Sequence, residues 1–274
     1  MLFGCGAVHA AVLTGAQSGL WQVAIVWGVA IMLAIYSVGG VSGAHINPAM
    51  TIALAVWQRC SWRCVGPYIA AQLAGAFVGA AVLCFLFGGF LSAKEAEKGV
   101  TRGQPGSEVT AMCYGEFAPN PGSIASAPGP YSAEAHERLK SAVPWRVAFG
   151  AEVLGTLVLA FVVFAVTDER NHGGPLKQTA PVFIGLTVSA LISILAPLTQ
   201  ACFNPARDFG PRLFSYFAGW GEIAWPLGTN WNWLTIYIIA PIVGAVLGAG
   251  LYERLIRPSL ADTSSEESLS ECAT

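Results

Sequence analysis

The chain has 274 residues, of which 54% are hydrophobic and 11% charged, against the ~25% charge usual in soluble domains, which excludes an ordinary soluble enzyme. Its 14 basic and 16 acidic residues leave a net charge of −2, so there is no basic footprint for nucleic acid and no acidic field for steering cations. A mean hydropathy of +0.58 requires a second apolar solvent, and the lipid bilayer is that solvent.

A crossing needs about 20 apolar residues to traverse ~30 Å of hydrocarbon. Residues 1–58 contain no Lys, Arg, Asp or Glu. Within them 1–12 is too short to span, 14–19 reads as a short polar loop, and 20–41 is long enough to cross. Residues 65–91 form the next crossing. The following segment, 92–142, is a surface loop whose Pro, Gly, Ser and Glu content forbids a membrane helix. Crossings follow at 143–166, 179–197 and 231–251. The tail from Pro258, with Ser264-Ser265-Glu266-Glu267, is polar and reads as disordered.

Arg59 and Arg63, Arg170 and Lys177, and Arg254 and Arg257 all fall in short connections on one side, which the positive-inside rule makes cytoplasmic. The long loop then faces outward. Small residues at helix-packing spacing, Ala71, Gly75 and Gly79 and again Gly244, Gly248 and Gly250, point to close helix approach within one bundle. The seven cysteines (Cys5, Cys60, Cys64, Cys84, Cys113, Cys202, Cys272) are scattered, most of them in apolar runs. Cys60 and Cys64 form a C-x3-C pair, but no second pair or clustered histidine completes a zinc site.

An internal repeat organises the chain. Ser42-Gly43-Ala44-His45-Ile46-Asn47-Pro48-Ala49 is answered 157 positions later by Thr199-Gln200-Ala201-Cys202-Phe203-Asn204-Pro205-Ala206. Each copy follows a long apolar span and precedes an apolar stretch, 50–57 or 209–217, that is too short to cross. Asparagine caps a helix N-terminus, and proline fits the first helical position because its missing N–H has no partner there anyway. From 48 to 57 the half-helix is about 15 Å long at 1.5 Å per residue, so two end to end span the bilayer. Three crossings separate the motifs, an odd number, so the halves are inverted and the two capped N-termini meet near the midplane. Non-helical backbone at that depth must line a watery path.

With two Asn-Pro-Ala boxes on inverted three-span halves, the chain resembles the major intrinsic protein family, the aquaporins and aquaglyceroporins, over nearly its whole length. The resemblance implies an all-α membrane protein, a six-span right-handed bundle of two inverted three-helix repeats, each with a re-entrant half-helix. Residues 1–91 are then the first repeat with re-entrant loop 42–57, and 92–142 the long extracellular loop. Residues 143–257 are the second repeat with re-entrant loop 199–217, and 258–274 a disordered cytoplasmic tail. The second repeat opens on Glu152-Val153-Leu154-Gly155-Thr156, whereas the first begins only at Met1-Leu2-Phe3-Gly4. A truncated first span is therefore expected, with both termini cytoplasmic if that span is complete. The Asp after the second box, in Asn204-Pro205-Ala206-Arg207-Asp208, is similar to the glycerol-conducting branch. Segments 42–51, Phe209-Gly210-Pro211-Arg212, Ala218-Gly219-Trp220-Gly221 and Pro119-Asn120-Pro121 also resemble bacterial glycerol facilitators.

The resemblance implies a passive channel for glycerol and other small uncharged solutes, with some water, excluding ions and protons. It implies no cofactor and no catalysis, and a homotetramer in the bacterial inner membrane. Asn47 and Asn204 each keep a side-chain amide to donate toward the lumen, and the two positive half-helix ends oppose cations and protons. Arg207 costs about 2.5–3.5 kcal/mol at the membrane centre, so it is expected to face the pore as a fixed donor; the rival role is a structural ion-pair partner. Trp27 matches the family's filter tryptophan. The carbonyls of Gly43, Ala44, His45, Gln200 and Ala201 match its acceptor ladder.

Two filter positions depart from glycerol facilitators. Ala201 stands where they have phenylalanine, and Ile192 where they have glycine. The set Trp27, Ile192, Ala201 and Arg207 resembles the filter of plant nodulin-26-like channels, which pass glycerol and neutral metalloid acids, so urea and such acids are further expected solutes. Asp208 is read as loop support. His45 is read either as a lumen contact or as a histidine packed in the loop. Glu152, the one carboxylate inside a crossing, matches the family's buried glutamate that holds a re-entrant loop. Its rival role is a proton relay, which would make the chain a proton-coupled inverted-repeat transporter. No nucleophile-elbow, P-loop or zinc-protease signature is present.

Overall fold

The computed structural model describes residues 1–17, 19–225 and 231–260; the tail expected to be disordered lies outside the described residues from 261 onward, as does Cys272. All regular structure among the described residues is helical. In chain order the elements are α1 (Leu2–Thr14), α2 (Leu20–Ser42), α3 (Pro48–Val56), α4 (Trp62–Lys98), α5 (Glu108–Ala111), α6 (Gly122–Ser126) and α7 (Ala133–Ala142). Then come α8 (Trp145–Thr167), α9 (Ala180–Thr199), α10 (Pro205–Ser215) and α11 (Asn232–Ser259). Five of these, α2, α4, α8, α9 and α11, are long and apolar enough to cross a membrane. Their outward side chains include Val41, Phe85 and Ile194, at 92%, 86% and 69% exposure, which a bilayer solvates and water does not.

α8 packs along α11, α2 along α9, and α4 along α10. Small residues permit the first two contacts. A Cβ on Gly244 or Gly248 of α11 would lie 2.3 or 2.0 Å from the carbonyl oxygens of Val153 and Leu157, so α8 and α11 touch backbone to backbone. The α4 stripe behaves differently. Gly79 meets the side chain of Met1, and Gly75 has nothing within 4 Å.

Two expectations for the outer segment change. α4 runs past 91 to Lys98, because Ser92 to Lys98 contains the strong helix formers Ala, Glu and Lys and meets no breaker before Gly99 at φ 65°. The segment beyond it contains three short helices. Ser132 caps α7 by accepting the Ala135 N–H. Beneath these helices Tyr114, Phe117, Ile124 and Trp220 form an apolar cluster, so the segment is packed onto the bundle.

Candidate functional site

The site is built by two breaks in the helical bundle that repeat the same backbone path. α2 ends where Gly43 turns left-handed at φ 68°, its N–H donating to Gly39 at 2.9 Å; α9 ends at Gln200, φ 62°, donating to Ala196 at 2.9 Å. Ala44 and Ile46 in the first segment, and Ala201 and Phe203 in the second, also have positive φ, between 43° and 57°. Such conformations cost of order 1–3 kcal/mol each for a non-glycine residue. Asn47 and Asn204 then return to extended backbone and cap α3 and α10, with Pro48 and Pro205 at the first helical position. Asn47 accepts the Ala49 N–H at 2.8 Å, and Asn204 accepts those of Ala206 and Arg207 at 3.1 and 3.3 Å.

Each cap is bonded to the backbone just before the other. The Asn47 amide donates to the Phe203 carbonyl at 2.8 Å, and the Asn204 amide donates to the Ile46 carbonyl at 2.9 Å. One N–H of each joins the two halves, and the second is left to donate elsewhere.

A cavity of about 700 Å³ runs along both segments. It is lined by Gly43, Ala44, His45, Gln200 and Ala201, whose carbonyls meet no protein donor among the described residues. Trp27, Ile192 and Arg207 line it too, as do Asn47, Asn204 and Ala206. Pro48, Ala49 and Pro205 sit behind the wall as helix starts. Ile192 and Ala201 share one apolar cluster with Trp27 packed against it. His45 does both things considered for it: its Nδ1 lies 3.3 Å from the Thr51 hydroxyl, its ring packs on Tyr68, and it still lines the cavity.

Arg207 is 4% exposed, with its guanidinium 4.8 Å above the Trp27 ring. Its Nη1 donates to the Tyr114 carbonyl at 2.8 Å, and its Nε lies 2.5 Å from the Glu116 carboxylate. Arg207 is therefore both a cavity wall and an ion-pair partner. Burial pushes the Glu116 carboxyl above the ordinary carboxylate range, while Arg207 pulls it back. Asp208 does not line the cavity. It accepts the Glu116 N–H at 2.8 Å and two bonds from Arg212 at 2.6 and 2.9 Å, tying the outer loop to α10.

Glu152 is fully buried on α8, away from the cavity. One oxygen accepts the Thr199 hydroxyl at 2.6 Å and the Cys202 N–H at 3.0 Å; the other accepts the Phe203 N–H at 2.8 Å. A carboxylate enclosed by three donors is a fastening for the second segment. A relay would need that carboxylate to open to water on each side in turn.

Glu116 was not foreseen from the sequence, and neither were the loop contacts beside it. The Gln200 side chain accepts the Phe117 N–H at 2.8 Å and donates to the Met112 carbonyl at 3.1 Å; Asn120 donates to the Ala196 carbonyl at 2.8 Å. The available signal was Arg207 itself, since a buried arginine calls for a carboxylate. Glu116 stands just before Pro119-Asn120-Pro121 in the loop.

The Major intrinsic protein family profile matches residues 1–252. A glycerol uptake facilitator protein of Pseudomonas aeruginosa is 40% identical over 256 residues, covering 93% of this chain and 84% of that protein. The propanediol uptake facilitator PduF of Citrobacter freundii is 37% identical over 260 residues, covering 95% and 88%. Among solved structures, the aquaglyceroporin from Plasmodium falciparum superposes with a TM-score of 0.75 at 24% identity, covering 95% of this chain and 92% of that one.

Proposed function

The chain belongs to the major intrinsic protein family, and from that premise we propose that it is a passive transmembrane channel for glycerol and other small uncharged solutes, with some water. It is a multi-pass membrane protein and not an enzyme. The observation that carries the reading is the pair of asparagine caps each bonded to the backbone before the other, beside a cavity lined by five residues whose carbonyls meet no protein donor among the described residues.

Glycerol has hydroxyls along one edge and carbon along the other. Trp27 and Ile192 supply an apolar wall, Arg207 supplies fixed donors, and the carbonyls supply acceptors. Solute hydroxyls exchange water for this ladder step by step. The N-terminal ends of α3 and α10 carry partial positive charge and oppose cations and protons where the caps meet. With Ala201 in place of a large aromatic, urea and neutral metalloid acids are further solutes of the same pore.

We read the architecture as two inverted three-helix repeats, 1–91 and 143–257, whose re-entrant segments enter from opposite faces. The right-handed bundle assembles as a homotetramer in a bacterial inner membrane, with Arg59, Arg63, Arg170, Lys177, Arg254 and Arg257 on the cytoplasmic face and 92–142 outside. Purified protein in proteoliposomes tests the channel reading. Glycerol efflux is expected to follow its own gradient, to ignore an imposed proton gradient and to carry no current. Uptake that tracks the pH gradient would transfer the protein to the proton-coupled class.

A further inference from the structure

Thr51 stands in the N-terminal turn of α3, fully buried and behind the cavity wall, and three polar groups meet its hydroxyl. The hydroxyl donates to the Asn47 carbonyl at 2.9 Å. The Gln72 amide of α4 donates to it at 3.1 Å, and His45 Nδ1 lies 3.3 Å away. A hydroxyl has one proton and two lone pairs. The Asn47 carbonyl can only accept, so the proton goes there, and Gln72 occupies one lone pair. His45 is left with the second lone pair, which only an N–H satisfies. Nδ1 therefore carries the ring proton.

His45 also stands two residues before the Asn47 cap, where the positive end of α3 opposes a second proton on the ring. A neutral ring protonated on Nδ1 keeps a bare lone pair on Nε2. That nitrogen has no protein partner among the described residues, and it is not sealed, in contrast to the Nε2 of His9, which is enclosed without a partner. It lies by the Gly43 turn, where a Cβ would come within 3.6 Å of it, on a residue that lines the cavity. Tyr68 packs on the ring with centroids 4.8 Å apart, its own hydroxyl bound to the Ser42 carbonyl. The second segment repeats none of this. Cys202 stands in place of His45 and bonds the Asn204 carbonyl at 3.2 Å, and Asp208 stands in place of Thr51 and is engaged by Arg212.

Resting on the channel reading above, we propose that the His45 ring binds the passing solute through Nε2 as a side-chain acceptor, and that Thr51 is the positioning residue that fixes it as one. A glycerol hydroxyl or a urea N–H donates to Nε2 as it leaves or approaches the carbonyls of Gly43 and Ala44. Every solute that donates at this step gains the contact, so it raises flux without ranking one such solute above another. Without the Thr51 hydroxyl the ring proton is free to move to Nε2, and the acceptor becomes a donor.

Nitrogen-15 labelling of the histidines in the full-length chain reads the tautomer directly, because protonated and bare ring nitrogens resonate far apart. The chain has four histidines, and His45→Phe identifies the His45 signals by their loss. In the parent, Nδ1 is expected to be protonated and Nε2 bare. Thr51→Val leaves the cavity wall untouched; it is expected to give a mixture of tautomers and to slow glycerol efflux from proteoliposomes about two- to fivefold, part of the worth of one net hydrogen bond. Thr51→Ser restores the hydroxyl and is expected to recover both readouts. His45→Phe keeps a ring against Tyr68 without the acceptor and is expected to slow efflux at least as much as Thr51→Val. A Thr51 that only braces the fold would lower the unfolding temperature on substitution and leave the tautomer as it was. The proposal is overturned by that result, by a protonated Nε2 in the parent, by a tautomer change in Thr51→Val that leaves glycerol efflux unaltered, or by parental efflux in His45→Phe. Each of these results is read against a parent that conducts glycerol, whereas a parent without glycerol efflux removes the channel reading itself and this proposal with it.

Discussion

At 43–47 and again at 200–204 the chain makes the same turns, yet neighbouring side chains hold the two segments in different ways. The first hangs on neutral groups: Tyr68 donates to the Ser42 carbonyl at 2.8 Å, and Gln72 and His45 meet the Thr51 hydroxyl at 3.1 and 3.3 Å. Around the second, Tyr237 reaches the equivalent Thr199 carbonyl at 3.3 Å and Gln200 and Asn120 bond across to the outer loop and α9, but charged fastenings are added to these neutral ones. Glu152 takes three donors, Arg207 meets Glu116, and Asp208 meets Arg212. Backbone path thus follows from the shared Asn-Pro caps and left-handed residues, while the charged groups gather around one segment only.

That asymmetry is broken hardest at Glu152. Glu152→Ala leaves the Thr199 hydroxyl and the Cys202 and Phe203 N–H groups unpaired in a buried site, at about 1–3 kcal/mol each. We expect little folded protein in the membrane, measured by detergent-solubilised yield and thermal unfolding. Glu152→Gln keeps one carbonyl acceptor and is expected to fall between the two. Equal stability of the alanine variant and the parent would show that the second segment holds itself.

Arg207 ranks next. Removing one partner of a buried ion pair costs about 3–5 kcal/mol, because the other charge is left unpaired. Arg207→Ala is therefore expected to be strongly destabilised and leaky to cations, and adding Glu116→Gln is expected to restore part of the stability. A double-mutant cycle in thermal unfolding measures the coupling, and additivity would separate the two side chains. Glu116 is also expected to make glycerol flux depend on pH. Its carboxyl is raised, so it takes up a proton at a higher pH than an ordinary carboxylate. As external pH falls, Arg207 loses its anionic tether and glycerol flux is expected to fall. Glu116→Gln is expected to be flat over the same range and to match the parent's low-pH flux.

The neutral segment makes the smaller prediction for stability. Thr51→Val removes the hydroxyl that contacts Asn47, His45 and Gln72, each bond a net of about 0.5–1.5 kcal/mol. The loss is expected to be well below that of Glu152→Ala in the same unfolding assay. A loss as large as that of Glu152→Ala would mean that the two fastenings are equivalent in strength.

How much of this was readable beforehand depends on sequence distance. The caps and the half-helices follow from local residue types and from repetition, so they were legible, whereas the role of Glu152, which bonds residues 47 to 51 positions away, was only implied by the family resemblance. The Arg207–Glu116 pair joins positions far apart in sequence through a loop with no periodicity, and no local pattern encodes it. α7 was obscured differently. Its helix-forming stretch Ala133–Ala142, capped by Ser132, was averaged into a loop rich in Pro and Gly.

The finest prediction compares equivalent residues. Ala44 and Ala201 occupy the same place in the two segments, both line the cavity, and both have positive φ, 46° and 57°. Phenylalanine at either position adds the same bulk and similar backbone strain, so the difference lies in what faces it. Ala201 shares an apolar cluster with Ile192, Trp27 packs against that cluster, and the Arg207 guanidinium lies 4.8 Å above the Trp27 ring. There an added ring narrows the opening toward a shape matching glycerol's apolar edge. Ala201→Phe is therefore expected to reduce urea and boric acid flux roughly two- to fivefold more than glycerol flux, a difference of about 0.4–1 kcal/mol. Ala44 adjoins His45, whose ring packs on Tyr68, and Gln72 lines the same cavity; these groups form no ion pair that could orient a solute. Ala44→Phe is expected to slow all solutes by a common factor. Stopped-flow light scattering on both variants gives the ratios. Equal ratios in the two would mean that selection is shared along the pore and is not gathered on the second segment.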